Sequence, residues 1–264
     1  MTRTILVLAA ALGVSAPAAA QTLAQRVAGA PDGTVRLSYA ARPGVCGNGA
    51  GNISFECDDG TCGRHGIRDE SDWDAGSCAC EAGPVRLALT VTNGRVARLR
   101  VYVGGRWRAV AGATDLGTVS AVDAARWLLT LARSGGARAA EEAVFPATLA
   151  DSITVWPDLV RLARASSVAS RVRNQAVFWL GQAAGVAATR DLTDLAVDDS
   201  LNRDVREQAV FALSQLPGDV GVPALIQIAR TNRDPDVRQK AFFWLGQTHD
   251  SRALALFEEV LSRP

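Results

Sequence analysis

The most reactive side chains in this 264-residue sequence are five cysteines that lie in one segment: Cys46, Cys57, Cys62, Cys78 and Cys80. Cysteines can form disulfides, bind zinc as thiolates or act as nucleophiles. Because their number is odd, at least one thiol is free or pairs with another molecule. We favour a bridge between Cys46 and Cys80, which would tie the beginning of a loop to the strand that follows it.

Zinc is the alternative for the same segment, because four of these cysteines could supply thiolates. However, Cys57-x4-Cys62 followed by Cys78-x-Cys80 does not match the usual paired C-x2-C spacing. A catalytic thiol would need a neighbouring base, and His65 has no orienting partner in the segment. We therefore expect no catalytic residue, no metal site and no cofactor.

The N-terminal residues 1–20 have the pattern of a secretory signal peptide. Arg3 is their only charge, an apolar run covers residues 5–12, and three alanines precede Gln21. A membrane anchor that stays uncut is the alternative. We expect an exported protein, periplasmic or extracellular, in which disulfides are the default state of cysteine pairs. After cleavage, no segment is long and apolar enough to be an integral membrane helix.

The overall composition is that of a soluble globular chain with balanced charge. Hydrophobic residues make up 48%, and 28 basic residues face 27 acidic ones for a net charge of +1. This balance argues against general attraction to nucleic acid or to an anionic membrane surface. We therefore expect a protein or peptide partner and no nucleic acid.

Residues 21–117 have the pattern of a small, mostly β region. Within residues 85–103, two runs with alternating apolar and polar residues are joined by Asn93-Gly94, which predicts a β-hairpin. Thr34–Tyr39 is a further candidate strand. The segment 43–83 between them is rich in Gly, Asp and Cys, so we expect its order to come from cross-links.

Residues 118–264 contain an internal repeat. A Val-Arg pair recurs at positions 172, 205 and 237, in steps of 33 and 32 residues, and begins the segments VRNQAVFWLGQ, VREQAVFALSQ and VRQKAFFWLGQ. Phe145 lies one further step before Phe178. Two helices fit into each step, and such a helical hairpin buries its apolar face only against its neighbours.

The repeats resemble HEAT repeats of the short kind also called PBS-lyase-like. Asp234 would cap the repeated helix and Pro235 would occupy its first turn. Pro146 departs from the pattern and is expected to kink or end its helix. The resemblance implies an α-solenoid, so the expected fold class is α+β: a C-terminal solenoid of HEAT-like hairpins with a small disulfide-containing β region before it.

The repeated helix has two distinct stripes. Spacing predicts a core stripe of Val237, Ala241, Trp244, Leu245 and Thr248. In HEAT-like proteins the second stripe lines the concave surface, and in this chain it is a phenylalanine row flanked by amides: Phe178 and Gln182, Phe211 and Gln215, Phe243 and Gln247. Exposed rings rimmed by amides would form a partner-binding groove. The alternative is that the rings fill gaps between adjacent repeats.

Arg173, Arg206 and Arg238 recur at the same position of each repeat. They could form a basic row for an acidic partner. We favour a structural role, in which they bond to neighbouring repeats with acids such as Asp204 and Asp236 close by.

Two functions remain at this point. The first is an exported, non-catalytic scaffold that binds a protein or peptide through the concave face of the solenoid. The second is a thiol-redox or zinc-dependent activity centred on residues 46–80. We favour the scaffold.

Overall fold

A computed structural model of the protein describes residues 21–50, 52–54, 57–58, 61–62, 66–67, 80–106, 110–217 and 220–262. At 57–58, 61–62 and 66–67 only the backbone is described. The predicted signal peptide at 1–20, as well as Cys78 and His65, lies outside these residues. Within the described part of the chain, no helix has the length and apolar character needed to cross a membrane.

In its described residues, the N-terminal region contains one short helix, two four-stranded sheets and one two-stranded sheet. Its elements in chain order are α1 (Leu23–Ala28), β1 (Gly33–Tyr39), β2 (Cys46–Gly47), β3 (Ile53–Ser54), β4 (Cys57–Asp58), β5 (Thr61–Cys62), β6 (Gly66–Ile67), β7 (Glu81–Ala82), β8 (Val85–Thr92), β9 (Arg95–Val103) and β10 (Thr114–Thr118). The larger sheet has the order β10-β1-β8-β9, and β1 pairs antiparallel with β8 and parallel with β10.

Strands β8 and β9 form an antiparallel hairpin over the residues whose alternation predicts one. Asn93 and Gly94 form its turn with φ values of 50° and 69°, a conformation that Asn and Gly tolerate better than other residues. Every second residue of β8 is buried, beginning with Val85. The alternation therefore places one face of the hairpin in the core.

A disulfide between Cys46 and Cys80 holds the smaller four-stranded sheet, whose strand order is β6-β3-β2-β7. The two Cα atoms lie 5.2 Å apart, and the bridge joins β2 to the residue that precedes β7, as the sequence analysis favoured. A side chain at Gly47 would come within 2.6 Å of the Val103 carbonyl oxygen, so only glycine allows this close approach to β9. In a separate backbone pair, Cys57 stands opposite Cys62.

The C-terminal region is helical. Its α-helices are α2 (Ala121–Ser134), α3 (Ala137–Thr148), α4 (Trp156–Arg164), α5 (Ser170–Ala184), α6 (Thr189–Val197), α7 (Arg203–Ser214), α8 (Val222–Thr231), α9 (Pro235–Leu245) and α10 (Ser251–Leu261), with a 3₁₀ turn at Gly185–Ala188 before α6. They pack as the pairs α2/α3, α4/α5, α6/α7 and α8/α9, and α10 packs on α8. The second helices α3, α5, α7 and α9 lie side by side in chain order.

The helix ends follow from local chemistry, with one correction. The Asp234 side chain accepts a hydrogen bond from the Asp236 N–H (3.0 Å), and Pro235 begins α9, as predicted. Pro146 was expected to kink or end its helix, but the helix does not end there, because α3 continues to Thr148. Pro146 lies in the last turn, where its missing N–H removes only one bond of the helix.

The sheet packs directly on the first helical pair. The buried Tyr39 hydroxyl donates to the Pro146 carbonyl (2.6 Å), and the Arg42 N–H donates to the Leu149 carbonyl (2.8 Å). Strand β9 contacts α3, where the Leu99 N–H donates to Glu142 Oε2 (2.7 Å). These contacts fix where the second helices lie relative to β9.

Candidate partner-binding surface

The second helices show which predicted stripe faces the core. In α9, Val237, Ala241 and Leu245 are completely buried, whereas Gln239 and Gln247 are exposed. Equivalent apolar residues are buried in the neighbouring copies: Val172, Ala176 and Leu180 in α5, and Val205, Ala209 and Leu213 in α7. Two predicted members of the core stripe, Trp244 and Thr248, are only half-buried. They lie at the edge of the stripe, so the buried face is narrower than predicted.

Phenylalanines of the second stripe meet across adjacent helices. Phe178 and Phe211 stack with ring centroids 6.4 Å apart and planes 7° apart. Phe211 then contacts Trp244 at 5.0 Å rather than Phe243, and Phe243 contacts the edge or face of Trp244 at 5.0 Å and 81°. The row therefore continues into α9 through the tryptophan.

The ring contacts also extend toward the first helical pair. Trp179 stacks on Phe145 at 4.3 Å and makes an edge contact with Phe178 at 4.9 Å. We call the complete set the aromatic row: Phe145, Trp179, Phe178, Phe211, Trp244 and Phe243. It crosses α3, α5, α7 and α9.

Exposure changes along the aromatic row. Phe178 and Phe211 are half-buried, as gap filling between helices requires, whereas 55% of Phe243 is exposed. Of the flanking amides, Gln182 is half-buried, and Gln215 and Gln247 are exposed. The row therefore combines ring packing between helices with apolar surface that reaches solvent.

The two tryptophans differ in how their indole N–H groups are satisfied. Trp179 Nε1 donates to Gln175 Oε1 one turn earlier (3.0 Å). Trp244 Nε1 is buried and has no hydrogen-bond partner among the described residues. Lys240 takes the place of the glutamine in α9 and pairs with Glu207 (3.4 Å). A buried donor without an acceptor is costly, so the two tryptophans contribute differently to stability.

The recurring arginines have structural roles, since Arg173 and Arg206 are buried. Arg206 Nη2 bonds Asp234 Oδ2 (2.8 Å), and its Nη1 lies 3.4 Å from Asp199 Oδ1. Arg238 Nη1 donates to the Asn232 carbonyl (2.7 Å). A basic row for an acidic partner is therefore not present at these positions.

The acids near these arginines differ from those expected. Arg206 bonds Asp199 and Asp234, which lie in the loops before α7 and α9, and it does not bond Asp204 or Asp236. Asp236 pairs with Arg203 (2.5 Å). Desolvation acts to raise the pKa of Asp234, but the Asp236 N–H, Arg203 and Arg206 outweigh it and hold that pKa below its usual value. Such contacts between loops depend on how the repeats pack, so the spacing of residues in the sequence does not predict them.

An open cavity of about 890 Å³ lies where β9 meets α3 and α5. Its apolar wall consists of Leu99, Val101, Phe145, Phe178 and Trp179. Its polar residues are four charged side chains and an amide: Arg138, Glu141, Glu142, Arg171 and Gln175. No pattern in the sequence predicts this cavity, because only the docking of the sheet on α3 creates it. The one feature of the sequence that indicated its position is that Phe145 lies one repeat step before Phe178.

The family of HEAT repeats matches residues 157–241, which extend from α4 into α9. No curated protein matches the chain. HEAT repeats commonly mediate protein–protein interaction, and the family is generally non-catalytic. The helical region is therefore similar to HEAT-repeat proteins over a range that includes Phe178, Trp179 and Phe211 of the aromatic row.

Proposed function

We propose that the protein is an exported, non-catalytic scaffold that binds a protein or peptide partner along the second helices of a HEAT-like α-solenoid. The side-by-side order of α3, α5, α7 and α9 supports a solenoid, because each of these helices buries its apolar stripe against its neighbours. The disulfide between Cys46 and Cys80 supports export, since such bridges persist in oxidising compartments.

The observation that carries the proposal is the aromatic row. Successive second helices each contribute a ring to it, and its Phe243 end is more than half exposed. Amides flank the rings, among them Gln215 and Gln247. Aromatic surface rimmed by polar groups is typical of interaction sites, because burying it on binding releases water from apolar area while the rim keeps its hydrogen bonds.

Affinity capture by the mature chain beginning at Gln21, from the envelope fraction of its own cells, tests the proposal. Phe243→Ala removes exposed ring surface, and Leu254→Ala is a matched control because Leu254 is 60% exposed on α10, outside the aromatic row. Phe211→Ala probes the centre of the row. Melting temperatures of all variants separate lost binding from lost folding.

We expect Phe243→Ala and Phe211→Ala to reduce capture of the same partner, while Leu254→Ala leaves it unchanged. Phe243→Ala should do so with no loss of melting temperature. Unchanged capture by Phe243→Ala, together with a Phe211→Ala effect explained entirely by unfolding, would reject the scaffold. N-terminal sequencing of the protein recovered from cells tests export independently, since it should begin at Gln21.

The second candidate is a thiol-redox or zinc-dependent activity of the residue 46–80 segment. One observation favours it: the backbone register of β4 and β5 sets Cys57 opposite Cys62. Intact mass after alkylation, with and without reduction, distinguishes the candidates. Two bridges and one inert thiol would leave only the scaffold, whereas several reactive thiols or bound zinc would favour this second function.

A further inference from the structure

The cavity between β9, α3 and α5 joins two kinds of wall. Strand β9 contributes Leu99 and Val101, and the aromatic row contributes Phe145, Phe178 and Trp179. A volume of about 890 Å³ is within the range of ligand-binding clefts and exceeds the size of one side chain. The cavity is thus continuous with the row on which the proposed function rests.

Charged residues are distributed unequally between the wall and the rim of this cavity. The side chains of Glu141 and Glu142 are 30% and 24% exposed. Those of Arg138 and Arg171 are 64% and 85% exposed, so they extend into solvent. The two carboxylates and two guanidinium groups balance formally, so the pairing of each carboxylate decides whether the cavity can take a further cation.

The two carboxylates differ in how fully they are paired. Glu142 accepts hydrogen bonds from the Leu99 N–H (2.7 Å), Arg98 Nε (3.2 Å) and Arg138 Nε (3.1 Å). Among the described residues, Glu141 has one ion pair, at 4.0 Å, with the highly exposed Arg171. A contact of that length and exposure contributes little and is easily exchanged. Glu141 is therefore the carboxylate in this wall that can take a new cation.

We propose that this cavity binds an arginine side chain of the partner peptide, with its aliphatic part on the half-buried Phe178 and Val101 and its guanidinium on Glu141. Arginine suits both surfaces, because its stem is apolar and its planar cation pairs with carboxylates and packs on rings. This inference rests on the proposed function and names the chemistry of the partner. An acidic ligand, held by Arg138 and Arg171 at the rim, is the competing outcome.

Isothermal titration of the mature protein with three short peptides tests this assignment. Each is acetylated and amidated, with glycines alternating with arginine, with citrulline or with glutamate. Citrulline keeps the shape of arginine and removes its charge. We expect the arginine peptide to bind and the citrulline peptide to bind about tenfold more weakly, the change that corresponds to one charge-assisted contact. Stronger binding of the glutamate peptide, or equal binding of citrulline and arginine, would overturn the assignment.

Two matched variants locate the contact. Glu141→Gln should weaken binding of the arginine peptide by about tenfold and leave the citrulline peptide unaffected. Glu258→Gln, which removes an exposed carboxylate on α10, should change neither. Both variants should melt like the wild type, since Glu141 has only a long, exposed ion pair. Equal effects of the two substitutions would mean non-specific attraction and reject the site.

The two levels of the proposal can fail separately. If the arginine peptide does not bind but Phe243→Ala still reduces partner capture, the scaffold stands and the cavity assignment is wrong. If neither the peptide nor the aromatic row affects binding, the proposed function fails with it.

Discussion

The segment Phe-Trp-Leu-Gly-Gln occurs twice in this chain, at 178–182 and 243–247, and its two copies differ in environment. In α5, which packs between α3 and α7, Trp179 is buried, stacks on Phe145 and donates its N–H to Gln175. In α9, Trp244 is half-buried with an unbonded N–H, and Phe243 is more than half exposed.

The difference shows that neighbouring helices, rather than the segment itself, decide the burial of these rings. Helix α5 has a second helix on each side, whereas the second helix beside α9 in the described chain is α7. In repeat proteins each unit contacts only its neighbours, so identical residues contribute differently at the middle and at the end of a row.

The largest expected effect is on Trp179. Trp179→Ala should destabilise the protein by about 3–5 kcal/mol, because it removes a buried ring stacked between α3 and α5. Trp244→Ala should cost less than half as much, since its ring is half-buried and its N–H is already unsatisfied. Urea unfolding followed by circular dichroism measures both. Equal losses would show that the two environments are energetically the same.

Sequence patterns predict the elements of this contrast but not the contrast itself. Spacing at i and i+4 identifies the buried residues Val237, Ala241 and Leu245, and Asn93-Gly94 identifies the hairpin, because both depend on local geometry. The Glu142–Leu99 contact joins residues that are 43 positions apart in the sequence. Both this contact and the cavity form only because β9 docks on α3. Such contacts depend on packing between regions, which periodicity does not encode.

A second expected effect concerns stability at low pH and follows from how α9 and α5 begin. Asp234 caps α9, whereas Ala169 precedes α5 without a side-chain cap. The folded-state pKa of Asp234 is lowered, so its contribution to stability is present above its unfolded pKa of about 3.9 and is lost as pH falls through the lower folded value. Asp250, which caps α10, has a pKa of about 2 because of hydrogen bonds from Arg252 and acts in the same direction.

Thermal melts of the wild type and Asp234→Asn at pH 6 and pH 2.5 test this difference. The variant keeps an oxygen that can cap α9 and loses only the charge. It should melt below the wild type at pH 6, and the gap should shrink at pH 2.5, which lies below the unfolded pKa of about 3.9, so that part of the contribution of the charge is lost. A gap of the same size at both pH values would contradict the assigned role of the charge.

A smaller effect should follow from exchanging the residues one turn before the tryptophans. Lys240→Gln would give Trp244 Nε1 the acceptor that Gln175 gives Trp179, and should stabilise the protein by about 0.5–1 kcal/mol. The gain is limited because the substitution also removes the partly exposed pair with Glu207. Gln175→Lys, the reciprocal change, should destabilise by about 0.5–1.5 kcal/mol, since it removes the Oε1 atom that accepts from Trp179 Nε1. If both substitutions changed the free energy of unfolding in urea in the same direction, the hydrogen bond to the indole N–H would not explain the difference between the two tryptophans.

The smallest expected change in stability is at the exposed end of the aromatic row. Phe243→Ala should alter the free energy of unfolding by no more than about 0.5 kcal/mol, because more than half of the ring is in water and it contacts Trp244 through a single edge-type arrangement. Phe178→Ala, in the same segment of α5, should cost several times more because its ring packs against both Trp179 and Phe211. If Phe243→Ala were as destabilising as Phe178→Ala, that ring would be part of the packed structure, and its exposed surface could not be held ready for a partner.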